Sequence, residues 1–225
     1  MPVAEGDTGL PQVEVLLGVQ KEEGLIALPA DFIRAAERSH EMQTVDRWVI
    51  KSVFSWISEN QEKVEAVDGF SINLSPNSLS DDGVLEFVLT QFSETMVAPA
   101  KIIFEFPESA ATANVSLTTD FVTTLKSYGC RFAIDDFGMA DSSFSYLNSL
   151  PVDFVKIDGK LVADILASPK DLAVVRSINE IGHLLGKRTI AEFVENDDIL
   201  ARIRELGVDY AQGYGIEKPS LLESL

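Results

Sequence analysis

The stretch FAIDDFGMADSSFSYLNSLPVDFVKIDG, residues 132–159, contains two short apolar runs that each end in charged side chains. The first run delivers Asp135 and Asp136 into a glycine turn, and the second ends with Lys156 and Asp158. Adjacent carboxylates repel each other and are seldom buried unless they are paired or bind a metal, so the pair predicts a cation or an open, wet site. The alternative is a turn followed by a helix N-cap, ahead of a helix that starts near Ser142.

Strand-like apolar runs alternate with helical patterns along nearly the whole chain. The periodicity of the hydrophobic residues and the turn residues between them predict strands near residues 13–17, 69–74, 101–106, 131–135, 153–157, 188–192 and 208–211. Helices are predicted near residues 29–38, 44–60, 81–94, 115–127, 142–149, 170–185 and 196–206. This alternation predicts an α/β fold with helices covering a parallel sheet. About eight units in this length favour a TIM-like (β/α)8 barrel over a doubly wound open sheet.

Every predicted strand ends in an ionisable or amide side chain. In a barrel, polar side chains at the carboxyl ends of the strands face the mouth of the active site. A cap or a surface charge explains any one of them, but does not readily explain the same strand position in all seven. The sequence therefore predicts a shared polar rim, formed by Glu14, Asn73, Glu105, Asp135 with Asp136, Lys156, Glu192 and Gln212.

Several motifs in a fixed order, from about Glu14 to Pro219, resemble those of the EAL domain family. This family comprises bacterial phosphodiesterases of the dinucleotide second messenger cyclic di-GMP. Glu14-Val15-Leu16 resembles the signature tripeptide, with valine in the middle position. The other matching motifs are Asn73-Leu74-Ser75, Glu105-Phe106-Pro107-Glu108, Asp135-Asp136-Phe137-Gly138, Lys156-Ile157-Asp158, Ala191-Glu192-Phe193-Val194-Glu195 and Gln212-Gly213-Tyr214.

The resemblance implies metal-dependent hydrolysis of cyclic di-GMP to linear pGpG, with two Mg²⁺ or Mn²⁺ ions. The residues that match the family's ligands to the first ion are Glu14, Asn73, Glu105 and Asp135, and those for the second are Asp135, Asp136 and Glu192. These carboxylate and amide oxygens are hard donors that suit magnesium or manganese, and no cysteine or histidine cluster competes for zinc. Two such ions activate a bridging water and clamp the oxygens of an in-line phosphoryl displacement.

The resemblance also implies roles for the remaining motif residues. Lys156 matches a lysine at the metal-bound water, and Asp136 and Glu192 join it in the implied catalytic set. A salt bridge to Asp135 or Asp136 is the alternative role for Lys156, and both roles are compatible. Glu108 is expected to anchor the loop after the paired aspartates. For Asp158 two alternatives stay open, namely a direct role in the site or a helix N-cap. The expected substrate-binding or supporting residues are Leu16, Glu108, Asp158, Glu195 and Gln212.

Three positions depart from the family pattern. Gly18 stands where active members usually carry a phosphate-contacting arginine, so weaker substrate binding is expected. The loop after the aspartates reads Met139-Ala140-Asp141-Ser142-Ser143, which lacks the usual glycine and adds an anion. Pro107 replaces a threonine, which a strand terminus tolerates. A second function therefore stays open, namely a cyclic di-GMP receptor or protein-interaction domain without turnover.

Composition is consistent with a single EAL domain over residues 1–225. The 225 residues, 46% of them hydrophobic, suffice for one barrel-sized core. The N-terminal helix and part of the first strand of the family pattern are missing, and Pro2-Val3 is interpreted as the remnant of that strand. Either the barrel closes imperfectly, or the missing piece belongs to an upstream region.

Charge and hydropathy limit the partners. A net charge of −18 argues against a nucleic acid polymer, although a small phosphate ligand bridged by metal remains compatible. Without a signal peptide or an apolar run of membrane-spanning length, the sequence predicts no direct membrane insertion and a cytoplasmic location. A homodimer and regulation by an upstream sensory region are further expectations. Cys130, Trp48 and Trp56 are predicted to pack in the core.

Overall fold

A seven-stranded parallel sheet forms the centre of the protein. The computed structural model describes residues 1–3, 9–20, 26–27, 30–139 and 144–225. In the main sheet, every strand pairs in parallel with the next strand in chain order. Its strands are β1 (Gln12–Val15), β4 (Gly69–Asn73), β5 (Ile102–Pro107), β6 (Arg131–Phe137), β7 (Phe154–Ile157), β8 (Arg188–Ala191) and β9 (Tyr210–Ala211). A separate antiparallel pair consists of β2 (Val19–Gln20) and β3 (Ile26–Ala27).

Helices connect most of the strands and cover the sheet. They are α1 (Ala30–Arg38), α2 (Met42–Glu59), α3 (Gln61–Glu65), α4 (Asp82–Thr95), α5 (Glu108–Ala113), α6 (Val115–Ser127), α7 (Gly159–Ala163), α8 (Pro169–Leu184) and α9 (Asp197–Glu205). Phe70, Phe104 and Phe132 of the sheet are fully buried, as expected for parallel strands that are covered by helices. No helix in the described ranges has the length and apolarity needed to cross a bilayer.

The two outer strands of the sheet come close to each other, which distinguishes a barrel from an open sheet. In a flat sheet with strands about 4.8 Å apart, the two outer strands of seven would lie roughly 29 Å apart. Instead, Gln212, directly after β9, donates from Nε2 to Oε2 of Glu14 in β1 at 2.6 Å. The predicted TIM-like barrel is therefore confirmed, and the doubly wound alternative is excluded.

The first residues of the chain extend the sheet beyond β9. Pro2 forms an antiparallel bridge with Tyr210, and Val3 N donates to the carbonyl oxygen of Asp209 at 2.9 Å. This pairing agrees with the interpretation of Pro2-Val3 as part of a strand. Among residues 1–3 and 12–15, however, no backbone pairing joins the two edges, so the described contact across this seam is made by side chains.

The structure also contains elements that the sequence pattern did not predict. The hairpin β2–β3 and the short helices α3, α5 and α7 are too brief to show a period of their own. The helix predicted near residues 142–149 is a 3₁₀-helix over Phe144–Asn148 where it is described, and residues 140–143 lie outside the described part of the chain.

The core prediction holds for Cys130 but not for both tryptophans. Cys130 is buried, and its burial raises the pKa of the thiol to about 12. Trp56 packs edge-on against Phe70, with ring centroids 5.8 Å apart. Trp48 is 59% exposed, so its prediction was wrong. Eight residues advance a helix by about 80° beyond whole turns, and the two indoles therefore point in different directions.

A buried carboxylate on α2 holds the loop that follows β4. Asp46 is 4% exposed, and it accepts hydrogen bonds from Ser75 N at 2.8 Å and Ser78 Oγ at 2.6 Å. Burial raises the pKa of Asp46, and the two serines partly offset that rise. This carboxylate therefore fixes the chain two residues beyond Asn73, at the rim of the barrel.

We expect Asp46→Ala to lower the free energy of unfolding by about 1–3 kcal/mol, because it leaves Ser75 N and the Ser78 hydroxyl without their acceptor. Asp46→Asn keeps an acceptor oxygen and should cost less. Urea unfolding measures both effects. Asp120→Ala, an exposed position on α6, is the control and should stay within about 0.5 kcal/mol of wild type. An equally small change for Asp46→Ala would contradict the assignment.

Candidate functional site

A single buried lysine lies at the centre of the rim. Lys156 is the third residue of β7, and its side chain is only 1% exposed. Its ammonium makes ion pairs with four carboxylates from four other strands or strand ends. The Nζ–oxygen distances are 2.7 Å to Glu105, 2.9 Å to Glu192, 3.2 Å to Glu14 and 3.3 Å to Asp135. One cation therefore gathers acidic groups from around the barrel.

Glu14 is held from three directions. Besides Lys156, it accepts a hydrogen bond from Asn73 Nδ2 at 3.0 Å through Oε1, and one from Gln212 Nε2 through Oε2. Asn73 ends β4, the neighbour of β1 in the sheet, whereas Gln212 comes from the opposite edge. All seven strand ends that were predicted to share a rim therefore do meet there.

The two adjacent aspartates both reach the rim because β6 is irregular at this point. Successive side chains of a regular strand point to opposite faces. The pairing of β6 with β7 shifts register between Ile134 and Phe137, and Asp136 adopts a left-handed φ of 53°. Asp136 N also donates to Oδ1 of Asp135 at 2.9 Å. As a result, ligand atoms of Asp135, Asp136 and Glu192 all lie within 4.8 Å of one another.

Burial and mutual repulsion control the charge of this cluster. Burial raises the pKa of Glu105 to about 7 and that of Glu192 to about 8; nearby carboxylates add to both shifts, and Lys156 opposes them. Burial alone would lower the pKa of Lys156, but the surrounding carboxylates raise it well above its usual value. The ammonium thus stays charged, while Glu105 and Glu192 hold protons more tightly than free carboxyls do.

Glu14 behaves differently from the two raised carboxyls. Burial opposes its charged form, but Lys156 and the hydrogen bonds from Gln212 and Asn73 lower its pKa overall. Glu14 therefore stays ionised beside the lysine, whereas Glu105 and Glu192 hold their protons more tightly.

A second set of contacts supports the loop after Asp136. Glu108 is 3% exposed, accepts a hydrogen bond from Gly138 N at 3.1 Å and receives another from the Tyr146 hydroxyl at 2.6 Å. Gly138 has a φ of 106°, which glycine adopts without strain. The sequence indicated Glu108 but not Tyr146, because no motif marks a residue whose partner lies 38 positions away.

The other supporting residues occupy different surroundings. Asp158 is buried and accepts a hydrogen bond from Lys160 N at 2.7 Å, which is the capping bond of α7. Leu16 is exposed beyond the end of β1. Glu195 is exposed and lines a cleft beside the cluster.

This cleft has a volume of about 690 Å³ and opens next to Asp136. Phe193 forms part of its wall; it has a left-handed φ of 51° and is 59% exposed. The Phe193 ring lies against Gly159, where an added Cβ would sit 1.5 Å from the ring. The described residues that line the cleft are Pro107, Glu108, Ser109, Asp136, Met139, Asp158, Gly159, Lys160, Ala163, Phe193 and Glu195.

Of the positions that depart from the motif pattern, Pro107 and Met139 line this cleft. Gly18 is exposed after β1 and offers no side chain to a ligand. Pro107 ends β5, pairs with Asp135 and precedes α5 without breaking the sheet, as expected of a strand terminus. Met139 is 51% exposed at the cleft, and residues 140–143 lie outside the described part.

We expect the free energy of unfolding of the metal-free protein to fall as the pH rises from about 5 to about 8, and then to level off. The folded pKa values of Glu105 and Glu192 exceed the ordinary carboxyl value, so the folded state binds more protons than the unfolded chain in this window. Urea unfolding in EDTA at several pH values tests this. Glu192→Gln cannot titrate and should give a shallower fall; an unchanged slope would show that Glu192 does not carry the effect.

Comparisons with known proteins agree with this geometry. The cyclic di-GMP phosphodiesterase PdeB of Shewanella oneidensis is 40% identical over 213 residues, which is 95% of this chain but 25% of that protein. The solved PaMucR phosphodiesterase in complex with cyclic di-GMP has a TM-score of 0.88 at 25% identity, covering 96% of this chain and 90% of that one. The FimX EAL domain from Pseudomonas aeruginosa, bound to cyclic di-GMP, has a TM-score of 0.86 at 28% identity, covering 97% and 87%.

The family profile described as the EAL domain matches residues 2–219. That range includes every strand of the parallel sheet and every side chain of the rim. On this match and the 40% identity to PdeB, the chain belongs to the EAL domain family.

Proposed function

We propose that this chain hydrolyses cyclic di-GMP to linear pGpG with the help of two divalent cations, Mg²⁺ or Mn²⁺. Family membership and the similarity to PdeB support the reaction. The observation that carries the proposal is the convergence of Asp135, Asp136 and Glu192, whose ligand atoms lie within 4.8 Å beside a lysine-centred group of further carboxylates.

The donor set fits hard divalent cations. All the candidate ligand atoms are carboxylate or amide oxygens, which magnesium and manganese prefer. Four carboxylates pair with a single ammonium and Asp136 lies beside them, so most of the negative charge of these acids has no cationic partner within the cluster. The raised pKa values of Glu105 and Glu192 are a consequence of this excess of buried carboxylates. Bound cations would remove the repulsion that these acids experience.

The proposed ligands divide into two overlapping sets. Asn73 donates from its amide nitrogen to Glu14, which leaves its amide oxygen available to a cation. The first set is Glu14, Asn73, Glu105 and Asp135, and the second is Asp135, Asp136 and Glu192. When bound, the ions supply charge neutralisation and activation of water for an in-line phosphoryl displacement.

We assign the catalytic roles to Lys156, Asp136 and Glu192. Lys156 keeps its proton and holds four carboxylates in a fixed arrangement, and its charge stabilises negative charge that develops on the phosphate. Asp136 is exposed at the rim and faces the cleft, so it lies where ligand and cluster meet.

The supporting residues act through their neighbours or at the cleft. Gln212 orients Glu14, Glu108 holds the backbone of Gly138, and Asp158 caps the helix that follows Lys156. Leu16 and Glu195 are exposed near the rim and are assigned to ligand contact.

We place this activity within a longer protein in the cytoplasm, where a second messenger acts. The chain spans about a quarter of the length of PdeB, and much of that relative therefore lies outside the matched region. An upstream sensory region that regulates the site is consistent with this difference in length.

Product formation from cyclic di-GMP tests the proposal. Wild-type protein with millimolar Mg²⁺ or Mn²⁺ should release pGpG, and EDTA should stop the reaction. Glu14→Ala and Glu192→Gln should reduce turnover at least about a hundredfold, because each removes a ligand oxygen from the cluster. Thermal unfolding should show that both variants remain folded.

Binding measured on the same samples separates the alternatives. Lys170→Met, an exposed position on α8, is the control and should retain wild-type turnover. If wild-type protein binds cyclic di-GMP but forms no product, the chain is a receptor and not an enzyme. Gly18, in place of a phosphate-contacting arginine, favours this alternative. If wild-type protein neither binds cyclic di-GMP nor forms product, the remaining alternative is a protein-interaction domain.

We expect Gly18→Arg to raise kcat/KM for cyclic di-GMP by about tenfold. Gly18 lies exposed near Glu14, and an arginine there would add a charged hydrogen bond to the ligand phosphate, worth about 1.5 kcal/mol. Steady-state kinetics with Gly18→Ala as the control would measure the gain. If arginine and alanine give the same kcat/KM, Gly18 does not limit the activity.

A further inference from the structure

The cleft beside the acidic cluster contains one lysine among its described lining residues. Lys160 is exposed and follows Asp158 and Gly159 at the start of α7. Its backbone N–H donates to Asp158 Oδ1, and Asp158 is itself buried. The position of the Lys160 backbone is therefore fixed relative to β7, whereas its side chain extends at the surface of the cleft.

Lys156 is not among the described residues that line the cleft, so its charge acts at the acidic cluster rather than along the cleft. Its side chain is 1% exposed, and its ammonium is enclosed by four carboxylates. Lys160 differs in both respects, because it is exposed and no described carboxylate lies within ion-pair distance of its ammonium. Of these two lysines, Lys160 is the one whose ammonium is exposed at the open part of the cleft.

The charge of Lys160 acts at the place where the cleft meets the cluster. Asp136, which belongs to the acidic cluster, lines the same cleft as Lys160. The lysine therefore borders the space that a ligand next to the cluster would occupy. Because the chain carries a net charge of −18, an exposed ammonium in the cleft reduces the repulsion that an anionic ligand meets there.

The cleft also has an apolar side suited to a nucleotide. The Phe193 ring lies against Gly159, directly before Lys160, and Pro107, Met139 and Ala163 line the same space. Its volume of about 690 Å³ falls in the range of small-molecule sites. A single ligand in this cleft would therefore contact both the apolar wall and the Lys160 ammonium.

We propose that Lys160 binds the anionic phosphodiester backbone of a cyclic dinucleotide in this cleft and contributes to ligand affinity without holding a metal ion. This inference rests on the proposed function of the site. A charge-assisted hydrogen bond from the Lys160 ammonium to a phosphate oxygen supplies the interaction.

The test is equilibrium binding of cyclic di-GMP to the calcium-loaded protein, together with steady-state kinetics in magnesium. Lys160→Met should weaken binding and raise KM by about tenfold, the loss of one charged hydrogen bond, while kcat changes less than about twofold. Lys160→Arg keeps the charge and should stay within about threefold of wild type. Wild-type affinity should also fall more steeply with added salt than that of Lys160→Met.

Two controls separate this role from a structural one. Mn²⁺ affinity should be the same in wild type and Lys160→Met, because the lysine holds no ion. Lys170→Met removes an exposed lysine outside the cleft and should leave binding unchanged. Equal cyclic di-GMP affinity in wild type and Lys160→Met, or an equal loss in Lys170→Met, would overturn the inference while leaving the proposed function intact. Absence of both binding and turnover in wild type would overturn both.

Discussion

The ion pairs of Lys156 are the constraint on which the rim of this barrel depends. A buried ammonium is costly to desolvate, and so are the buried carboxylates of Glu105, Glu14 and Glu192. Each of these charges is tolerated because the others are present. Removing the lysine would leave several anions facing one another in a poorly solvated space, whereas removing one carboxylate would still leave the ammonium paired. The centre of the site is thus also the point where the chemistry is most sensitive to a single side chain.

Much of the fold was predictable because strand and helix signals alternate with little interruption. The predicted strand at 131–135 is found as Arg131–Phe137, and the helix at 115–127 as Val115–Ser127. The rim was predictable for a related reason, since parallel strands present their carboxyl ends at one edge of the sheet. Short helices such as Gly159–Ala163 escaped detection, because five residues are too few to establish a helical period.

Parts of the site depend on backbone geometry and distant pairing, which sequence spacing does not reveal. The left-handed conformation of Asp136 and the register shift beside it bring two adjacent carboxylates to one side, although successive side chains of a regular strand point to opposite faces. Phe193 belongs to the motif Ala191-Glu192-Phe193-Val194-Glu195, but its packing against Gly159 joins two residues that are 34 positions apart and follows only from the three-dimensional arrangement. The predicted burial of Trp48 was wrong because the angle between positions 48 and 56 on the helix turns the two indoles in different directions.

The hydrogen bond between Gln212 and Glu14 gives the rim a mechanical role. The described edges of the sheet meet here through side chains rather than through a continuous backbone ladder. Glu14 therefore holds the two edges of the barrel together. Any event that competes for this carboxylate also changes the free energy of opening the seam, and amide exchange in Gln12–Val15 and Tyr210–Ala211 reports on it. Stability at the seam and occupancy of the site are thus two linked equilibria that share one side chain.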